Sequence, residues 1–386
     1  MNLYKNIPIG RRILTGKEFC DMKLALISFT KTGASLCCQL TKNLQKQGYM
    51  CEGYIPCRFF QETEGRGDEG IYGLEESALE WTKRQFSQMD GLIYIGAAGI
   101  AVRSVAPFLR DKLTDPGVVA VDERGQYAIS LLSGHVGGAN ELAKAVAKSC
   151  GAAPVITTAT DINRKMAIDV WAAKRELWIG DREAAKEVSV RLLEGESVGF
   201  FSDFPVKEPL PEEYSWNRAG KANVWVTVKK KPQKEDETGT MLLEVLEEGG
   251  QILRLTPRIL TVGIGCRKGI SSETIEKKIK EALEEGNLEE HAVARFASID
   301  LKKEEKGICH TAKKWGVPFV TFSAGKLETV RGTIQESAFV RQVTGTGNVC
   351  ERAALLGAGE NGVLLVEKKA GHGVTVAVAM ESLGWL

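Results

Sequence analysis

The apolar residues of this chain occur in short runs that alternate with amphipathic segments. The first clear run, KLALISF at residues 23–29, is followed by the small-residue turn TKTGASL and by a helical pattern that ends near Gln47. Further strands are predicted by GLIYIG, GVVAVD, YAISLL and APVITTATD, and further helices by IAVRSVAPFLRDK and ANELAKAVAKSC. This alternation predicts a mostly parallel sheet with helices on both faces, in which ligands bind at the carboxyl ends of the strands.

The pattern is less regular after Ala173 and becomes regular again near residue 257. The segment between contains KEPLPEEYSWN and KKKPQKEDETG, which predict solvated loops, and the short β-like runs SVGFF and NVWVTV. We therefore predict a multi-domain α/β protein whose N-terminal and C-terminal α/β domains have mostly parallel sheets and are joined by a smaller middle domain. Its predicted parts are an extension (1–21), an N-terminal domain with a histidine–glycine loop (22–160), a middle domain (161–256) and a C-terminal domain (257–386).

The amino-acid composition argues against nucleic acid, zinc and membrane as partners. The 386 residues include 51 basic and 50 acidic side chains, so no global charge favours nucleic acid. Nine cysteines without a Cys-x-x-Cys pair and only four histidines argue against a zinc site and fit a reducing compartment. No apolar run approaches the roughly 20 residues of a membrane span, and the N-terminus lacks the apolar core of a signal peptide. We expect a cytoplasmic protein that binds neither membrane nor nucleic acid.

One loop combines a titratable side chain with unusual backbone freedom. In SLLSGHVGGANELA a predicted strand is followed by Ser133, Gly134, His135, Gly137 and Gly138, and then by a helix. Free amides in the first helical turn favour anions or polarised carbonyls, and glycines allow a ligand to approach the main chain. An imidazole titrates near neutrality and serves as an acid or a base. The structural alternative is a histidine satisfied by local backbone, with Asn140 as the helix cap.

A second glycine turn follows the strand GLIYIG. Gly96 and Gly99 lie in it, but the turn has neither Gly-x-Gly-x-x-Gly nor Gly-Lys-Ser/Thr, so a tight strand-to-helix turn is an equally good interpretation. Asp122 and Glu123 end the next strand, where they either hold a water molecule or form an ordinary turn.

The C-terminal domain has a glycine turn of its own, VGIGCRKG. Gly263 and Gly265 do not fit a dinucleotide fingerprint, because the spacing to the next glycine is one residue too long. Arg267 and Lys268 suit carboxylates. Cys266 is either a nucleophile with a lowered pKa or a buried, inert thiol. A further turn, TGTGNVCERAAL, begins a helix that Asn348 either caps or uses to face a ligand.

Five of these stretches together resemble a known family. GAAGIAVRSVAPFLRDKLTDPGVVAVDERG, ISLLSGHVGGANELA, TTATDINRKMAIDVWA, GIGCRKG and FASIDLKKEE are similar to the CbiG-type cobalt-precorrin-5A hydrolases of anaerobic cobalamin biosynthesis. The resemblance extends from about Met22 to the end of the chain, in the family's N-terminal, middle and C-terminal order. It departs at residues 164–166, Arg-Lys-Met, where the family has a smaller residue and an aromatic.

The resemblance implies a substrate, a reaction and site residues. The substrate is a cobalt-bearing tetrapyrrole with several carboxylate arms, whose ring-A δ-lactone is opened by water, with loss of a two-carbon fragment as acetaldehyde. On this hypothesis His135 is the general base, and Ser133 or Asn140 stabilises the oxyanion together with the amides of Gly137 and Gly138. The predicted substrate-binding residues are Gly96, Gly99, Gly134, Gly137, Gly138, Gly263, Gly265, Cys266, Arg267 and Lys268.

No separate cofactor or protein metal site is expected, since cobalt arrives with the substrate. A homodimer or neighbouring pathway enzymes are the expected macromolecular partners. Three alternatives stay open: a non-catalytic tetrapyrrole carrier, a nucleotide-dependent α/β enzyme, and the same reaction with Cys266 as covalent nucleophile.

Overall fold

The computed structural model describes residues 22–60, 70–111, 114–135, 137–207, 209–330 and 336–382. The predicted extension, residues 1–21, lies outside these ranges. Internal contacts divide the chain into two compact units, the first ending at Lys174 and the second beginning at Arg175. Residues 161–174, which we expected in the middle domain, belong to the first unit.

The first unit is built on one seven-stranded sheet. In chain order its strands are β1 (Lys23–Ser28), β2 (Met50–Pro56), β3 (Ile71–Leu74), β4 (Gly91–Ile95), β5 (Gly117–Val121), β6 (Tyr127–Leu132) and β7 (Ala153–Val155). Its helices are α1 (Lys31–Lys46), α2 (Cys57–Phe60), α3 (Ala78–Gln85), α4 (Ala98–Val105), α5 (Ala139–Cys150), α6 (Ala159–Ile162) and α7 (Ile168–Lys174). The spatial order of the strands is β3-β2-β1-β4-β5-β6-β7.

The apolar runs of the sequence become the buried centre of this sheet. Every residue of β4 and β5 is buried, as expected for strands covered by helices on both faces. One face packs against α1 and α5, and the other packs against Trp81 of α3 and against α4. Within the predicted helix IAVRSVAPFLRDK, α4 ends at Val105, and a short 3-10 turn that contains Pro107 follows.

The direction of β6 decides where the histidine loop lies. β6 pairs antiparallel with β5, so that Leu132 lies opposite Val118, and β7 then pairs parallel with β6. The carboxyl ends of β6 and β7 therefore lie at the edge where β4 and β5 begin. All other strand pairs in this sheet are parallel and have their carboxyl ends at the opposite edge.

The second unit contains two five-stranded sheets. The first of them has the order β10-β9-β11-β12-β8, from β8 (Trp178–Ile179), β9 (Val198–Ser202), β10 (Tyr214–Trp216), β11 (Ala222–Val226) and β12 (Gln251–Thr256). The other has the order β15-β14-β13-β17-β16, from β13 (Leu260–Cys266), β14 (Val293–Ile299), β15 (Phe319–Phe322), β16 (Val363–Gly371) and β17 (Val374–Met380). The helices are α8 (Arg182–Leu193), α9 (Glu237–Glu247), α10 (Ser272–Glu285), α11 (Lys306–Trp315), α12 (Ala324–Glu328), α13 (Ala338–Thr344) and α14 (Val349–Ala358).

The predicted multi-domain α/β architecture is confirmed. The middle region is more regular than its sequence suggests, because β9 to β12 form a parallel sheet and β8 pairs antiparallel with β12 at its edge. In the C-terminal sheet β13, β14 and β15 are parallel, while β17 and β16 complete it as antiparallel strands. Among the helices described, none is long and apolar enough to cross a membrane.

Candidate functional site

The histidine loop closes on itself through its own backbone. Ser133 has φ 56° and Gly138 has φ 79°, and these left-handed residues turn the carbonyls of residues 133–135 toward the amides of residues 138–140. The bonds are Gly138 N to His135 O (2.9 Å), Ala139 N to Ser133 O (3.1 Å) and Asn140 N to Gly134 O (3.0 Å). The expectation of free amides at the start of α5 is therefore wrong for these three residues.

Two glycines allow this close turn. A Cβ atom at Gly134 would lie 2.7 Å from Asn140 Oδ1, and a Cβ atom at Gly137 would overlap the Cβ atom of Ser133. Neither position has room for a side chain. Gly134 and Gly137 are thus required by the shape of the loop, whatever contact they make with a ligand.

The loop places His135 between two carboxylates. His135 Nε2 lies 3.1 Å from Asp161 Oδ2, which follows the carboxyl end of β7, and 2.9 Å from Thr160 Oγ1. On the other side of the ring, Nδ1 lies 3.5 Å from Asp169 Oδ2, near the start of α7. His135 follows β6 and Asp161 follows β7, and these two parallel strands end side by side. The segments that follow them therefore meet at the carboxyl edge of the pair, where ligands of α/β proteins bind.

Asn140 belongs to this cluster and does not cap the helix. The N-cap of α5 is Gly138, while the amide Nδ2 of Asn140 donates to Asp161 Oδ2 (2.9 Å) and to Thr158 Oγ1 (3.1 Å). Asn140 is buried, and its Oδ1 has no partner among the described residues. The capping interpretation is wrong; Asn140 orients Asp161.

The surroundings of His135 favour its protonated form. The hydrogen bond with Asp169 contributes most to a raised pKa of His135; burial opposes it, and the charges of Asp169 and Asp161 add to it. An imidazole with a carboxylate at each ring nitrogen uses both nitrogens as donors only when it carries two protons. In this cluster His135 is therefore suited to donate a proton or to stabilise negative charge.

Sequence reasoning missed Asp161 and Asp169. Both lie in TTATDINRKMAIDVWA, which we used only as a sign of resemblance. The available signal was positional, since Asp161 is the last residue of the predicted strand APVITTATD and His135 lies just after another predicted strand. Asp169 could not be found in this way, because its approach to His135 depends on how α7 packs.

The other predicted residues of the first unit lie elsewhere. Gly96 follows β4 and its amide donates to Val121 O, so Gly96 and Gly99 lie at the edge opposite to the histidine loop. A strand the length of β5 separates the two edges by roughly 15 Å. Asp122 accepts hydrogen bonds from three amides of the β5–β6 turn, which supports its interpretation as a turn residue.

In the C-terminal sheet, the two predicted glycines are packing residues. A Cβ atom at Gly263 would overlap Cys350 O of α14, and one at Gly265 would lie 2.5 Å from Thr375 Oγ1. Gly263 is buried, so it reaches no ligand in this structure. Asn348 caps α14 by accepting from Glu351 N, as one of our two interpretations expects.

The three residues after these glycines differ in exposure. Burial raises the pKa of Cys266 to about 11, so its thiol is protonated at neutral pH and the nucleophile alternative is disfavoured. Arg267 and Lys268 are exposed beyond the end of β13. Across the part of the chain that the structure describes, no group of three or more His, Cys, Asp or Glu side chains is arranged to hold a metal ion.

Fold and site together define a multi-domain α/β protein with a partly buried histidine–carboxylate cluster in its first unit. Comparison with known families identifies it further. The chain matches the families described as "Cobalamin synthesis G N-terminal" over residues 80–161, "Cobalamin biosynthesis central region" over 166–245 and "Cobalamin synthesis G C-terminus" over 260–379. The chain belongs to the cobalamin biosynthesis G (CbiG) family.

Individual relatives cover most of the chain. It is 32% identical to the cobalt-precorrin-5A hydrolase of Priestia megaterium over 369 residues, which are 92% of this chain and 94% of that protein. It is 33% identical to the enzyme of the same name from Salmonella typhimurium over 320 residues, covering 81% and 88%. A solved structure of a cobalamin biosynthesis protein G homologue from Sulfolobus solfataricus is 21% identical, with a TM-score of 0.38, and covers 94% of this chain and 99% of that one.

Proposed function

We propose that this protein is a cobalt-precorrin-5A hydrolase of anaerobic cobalamin biosynthesis. Similarity to relatives of that name over nearly the whole length of both chains carries this conclusion. The reaction adds water to the ring-A δ-lactone and releases acetaldehyde, giving cobalt-precorrin-5B. Nothing observed favours the carrier alternative, and the cluster around His135 supplies the acid–base groups that a hydrolase needs.

The reaction makes two demands on the site. Water must lose a proton as it attacks the lactone carbonyl, and the charge that develops on the carbonyl oxygen must be stabilised. The alkoxide released from the opened lactone then expels acetaldehyde, and the electrons of the broken carbon–carbon bond pass into the conjugated macrocycle. We propose that the cluster of His135, Asp161 and Asp169 carries out the proton transfers of these steps.

Binding of the substrate is a separate part of the proposal. The macrocycle carries several carboxylates, and the exposed Arg267 and Lys268 are suited to bind such arms. Gly96, Gly99 and Gly265 remain proposed contacts. An oxyanion contact from the Gly138 amide would require that its bond to His135 O be given up.

The proposal also covers the cofactor, the cellular location and the macromolecular partners of the protein. Cobalt enters as part of the substrate, and we propose no further cofactor. We place the protein in the cytoplasm, as a homodimer or in contact with neighbouring pathway enzymes. Light scattering on the purified protein tests the dimer.

The decisive experiment is anaerobic incubation of the purified protein with cobalt-precorrin-5A. We expect one equivalent of acetaldehyde, measured with alcohol dehydrogenase and NADH, together with the matching mass loss of the corrinoid. His135→Ala should slow acetaldehyde release by about 10²- to 10⁴-fold. His310→Ala, on the exposed face of α11, is the matched control and should retain wild-type turnover. Tight binding of an unchanged corrinoid by the wild type would establish the carrier alternative instead.

A further inference from the structure

We infer that Asp161 is the base that takes the proton from the attacking water, while His135 acts as an imidazolium that stabilises the oxyanion. This inference rests on the proposed function and reverses the role that the sequence suggested for His135. It makes Asp161 a catalytic residue and makes Asp169 and Asn140 positioning residues.

The first argument is that both ring nitrogens of His135 already face partners. A general base needs a nitrogen lone pair that faces the water. Here Nε2 faces Asp161 Oδ2 and Thr160 Oγ1, and Nδ1 faces Asp169 Oδ2. Carboxylates only accept hydrogen bonds when ionised, so both ring nitrogens serve as donors. The ring that satisfies both carboxylates has no lone pair left for a proton.

The second argument is the position of Asp161. Its bonds to Asn140 and His135 are both made at Oδ2, and a carboxylate has a second oxygen with its own lone pairs. We assign that oxygen, Oδ1, to the water. The side chain of Asp161 is 30% exposed, against 21% for His135 and 18% for Asp169, so Asp161 is the carboxylate of this pair that solvent reaches more readily.

The third argument concerns the oxyanion. We first expected the amides of Gly137 and Gly138 to stabilise it. The Gly138 amide bonds to His135 O, and the next two amides, of Ala139 and Asn140, bond to Ser133 O and Gly134 O. A cation beside the carbonyl oxygen provides this stabilisation in their place. His135 is the group with a raised pKa in this cluster, because Asp169 hydrogen-bonds it and because both carboxylates are negative.

The step balances with these groups alone. The water oxygen forms a bond to the lactone carbonyl carbon, and its proton moves to Asp161. The carbonyl π electrons move to the oxygen beside His135 and return as the ring C–O bond breaks. The alkoxide becomes the carbonyl of acetaldehyde as the C–C bond breaks. The macrocycle accepts that electron pair and then the proton that Asp161 took from the water.

The kinetic test uses Asp161→Asn, which keeps the size of the side chain and an oxygen for Asn140. We expect kcat for acetaldehyde release to fall by about 10²- to 10⁴-fold, with KM changed by less than threefold. Formate should restore part of the rate to Asp161→Gly, since a small carboxylate replaces the missing base. Glu141→Gln removes an exposed carboxylate of α5, next to Asn140 in the sequence, and serves as the control that keeps full turnover. Asp161→Asn with more than a tenth of wild-type kcat, or Asp161→Gly insensitive to formate, overturns the inference.

A second test needs no substrate. In protein labelled with ¹⁵N-histidine, both ring nitrogens of His135 should give protonated chemical shifts at pH 7, and Asp161→Asn and Asp169→Asn should each lower the midpoint of its titration. A neutral ring in the wild type at pH 7 overturns the inference even if the enzyme is active. Conversely, a wild type that shows the imidazolium but releases no acetaldehyde refutes the proposed function and leaves the charge state of the cluster established.

Discussion

At the scale of the residue, the chemistry of His135 depends on side chains that sequence proximity does not reveal. Its position after a strand and among glycines could be predicted, and so could its availability for proton transfer. The preference of the imidazole for its charged form could not be predicted. Asp161 and Asp169, which favour that form, lie 26 and 34 positions further along the chain and approach it through the packing of α6 and α7. A glycine-rich loop indicates a site, whereas the neighbours of its side chain decide what the site does.

The raised pKa of His135 predicts how stability depends on pH. The folded protein binds the proton more tightly than the unfolded chain, so this contribution to stability is fully present below the unfolded value near 6.5. It should disappear as the pH rises through the higher folded value. Urea unfolding at a series of pH values should therefore show a decline in this range that Asp169→Asn reduces. An unchanged decline in that variant would assign it to other groups.

Asp169 should affect catalysis through His135 alone. Asp169→Asn removes the main cause of the raised pKa, so the alkaline limb of the pH–rate profile should move to lower pH. At pH values low enough to protonate His135 in both proteins, the variant should approach the wild-type rate. A uniform loss of rate at every pH would instead indicate that Asp169 only supports the fold.

At the scale of the element, the reversal of β6 determines which edge of the first sheet holds the cluster. The apolar runs predict the strands well, since the burial that produces those runs is the same burial found in β4 and β5. Periodicity does not encode the direction of pairing, however. The glycine turn at Gly96 and the histidine loop both follow strands, yet they lie at opposite edges.

The contact between β13 and α14 yields a prediction about a glycine that resembled part of a ligand loop. Gly263→Ala places a Cβ atom onto Cys350 O, and such overpacking costs about 1–3 kcal/mol. The free energy of unfolding should fall accordingly in urea denaturation. Gly325→Ala in α12 is the control, because a Cβ atom there meets nothing within 4 Å. Equal stability of the two variants would show that the helix moves away at little cost.

At the scale of the whole molecule, the order of the three regions could be predicted, and the matches to three consecutive cobalamin family regions agree with it. The sequence did not predict that the middle and C-terminal regions form one compact unit. In the second unit, β12 and β8 contact the segment that leads into β14. Arg254 and Glu289 form an ion pair of 3.1 Å there, and the rings of Trp178 and His291 stack. Such contacts depend on pairs of side chains that no local pattern specifies.

This junction should matter to the stability of both sheets. Glu289→Gln removes the charge that faces the largely buried Arg254, and we expect a loss of about 1–3 kcal/mol in the free energy of unfolding. Hydrogen exchange should rise in β12 and in β14 together. Lys230→Gln breaks a more exposed ion pair across the same junction, with Glu284, and should cost less than about 1 kcal/mol. A larger loss from Lys230→Gln would contradict this ranking.

The three main-chain bonds that close the histidine loop have a consequence for affinity. Loops that become ordered only when a ligand arrives lose conformational freedom at that moment, and the loss weakens binding. Here folding itself has already immobilised the bend. On the proposed function, the macrocycle meets an imidazole whose place is set in advance, and its binding energy is left for the contacts of its carboxylate arms.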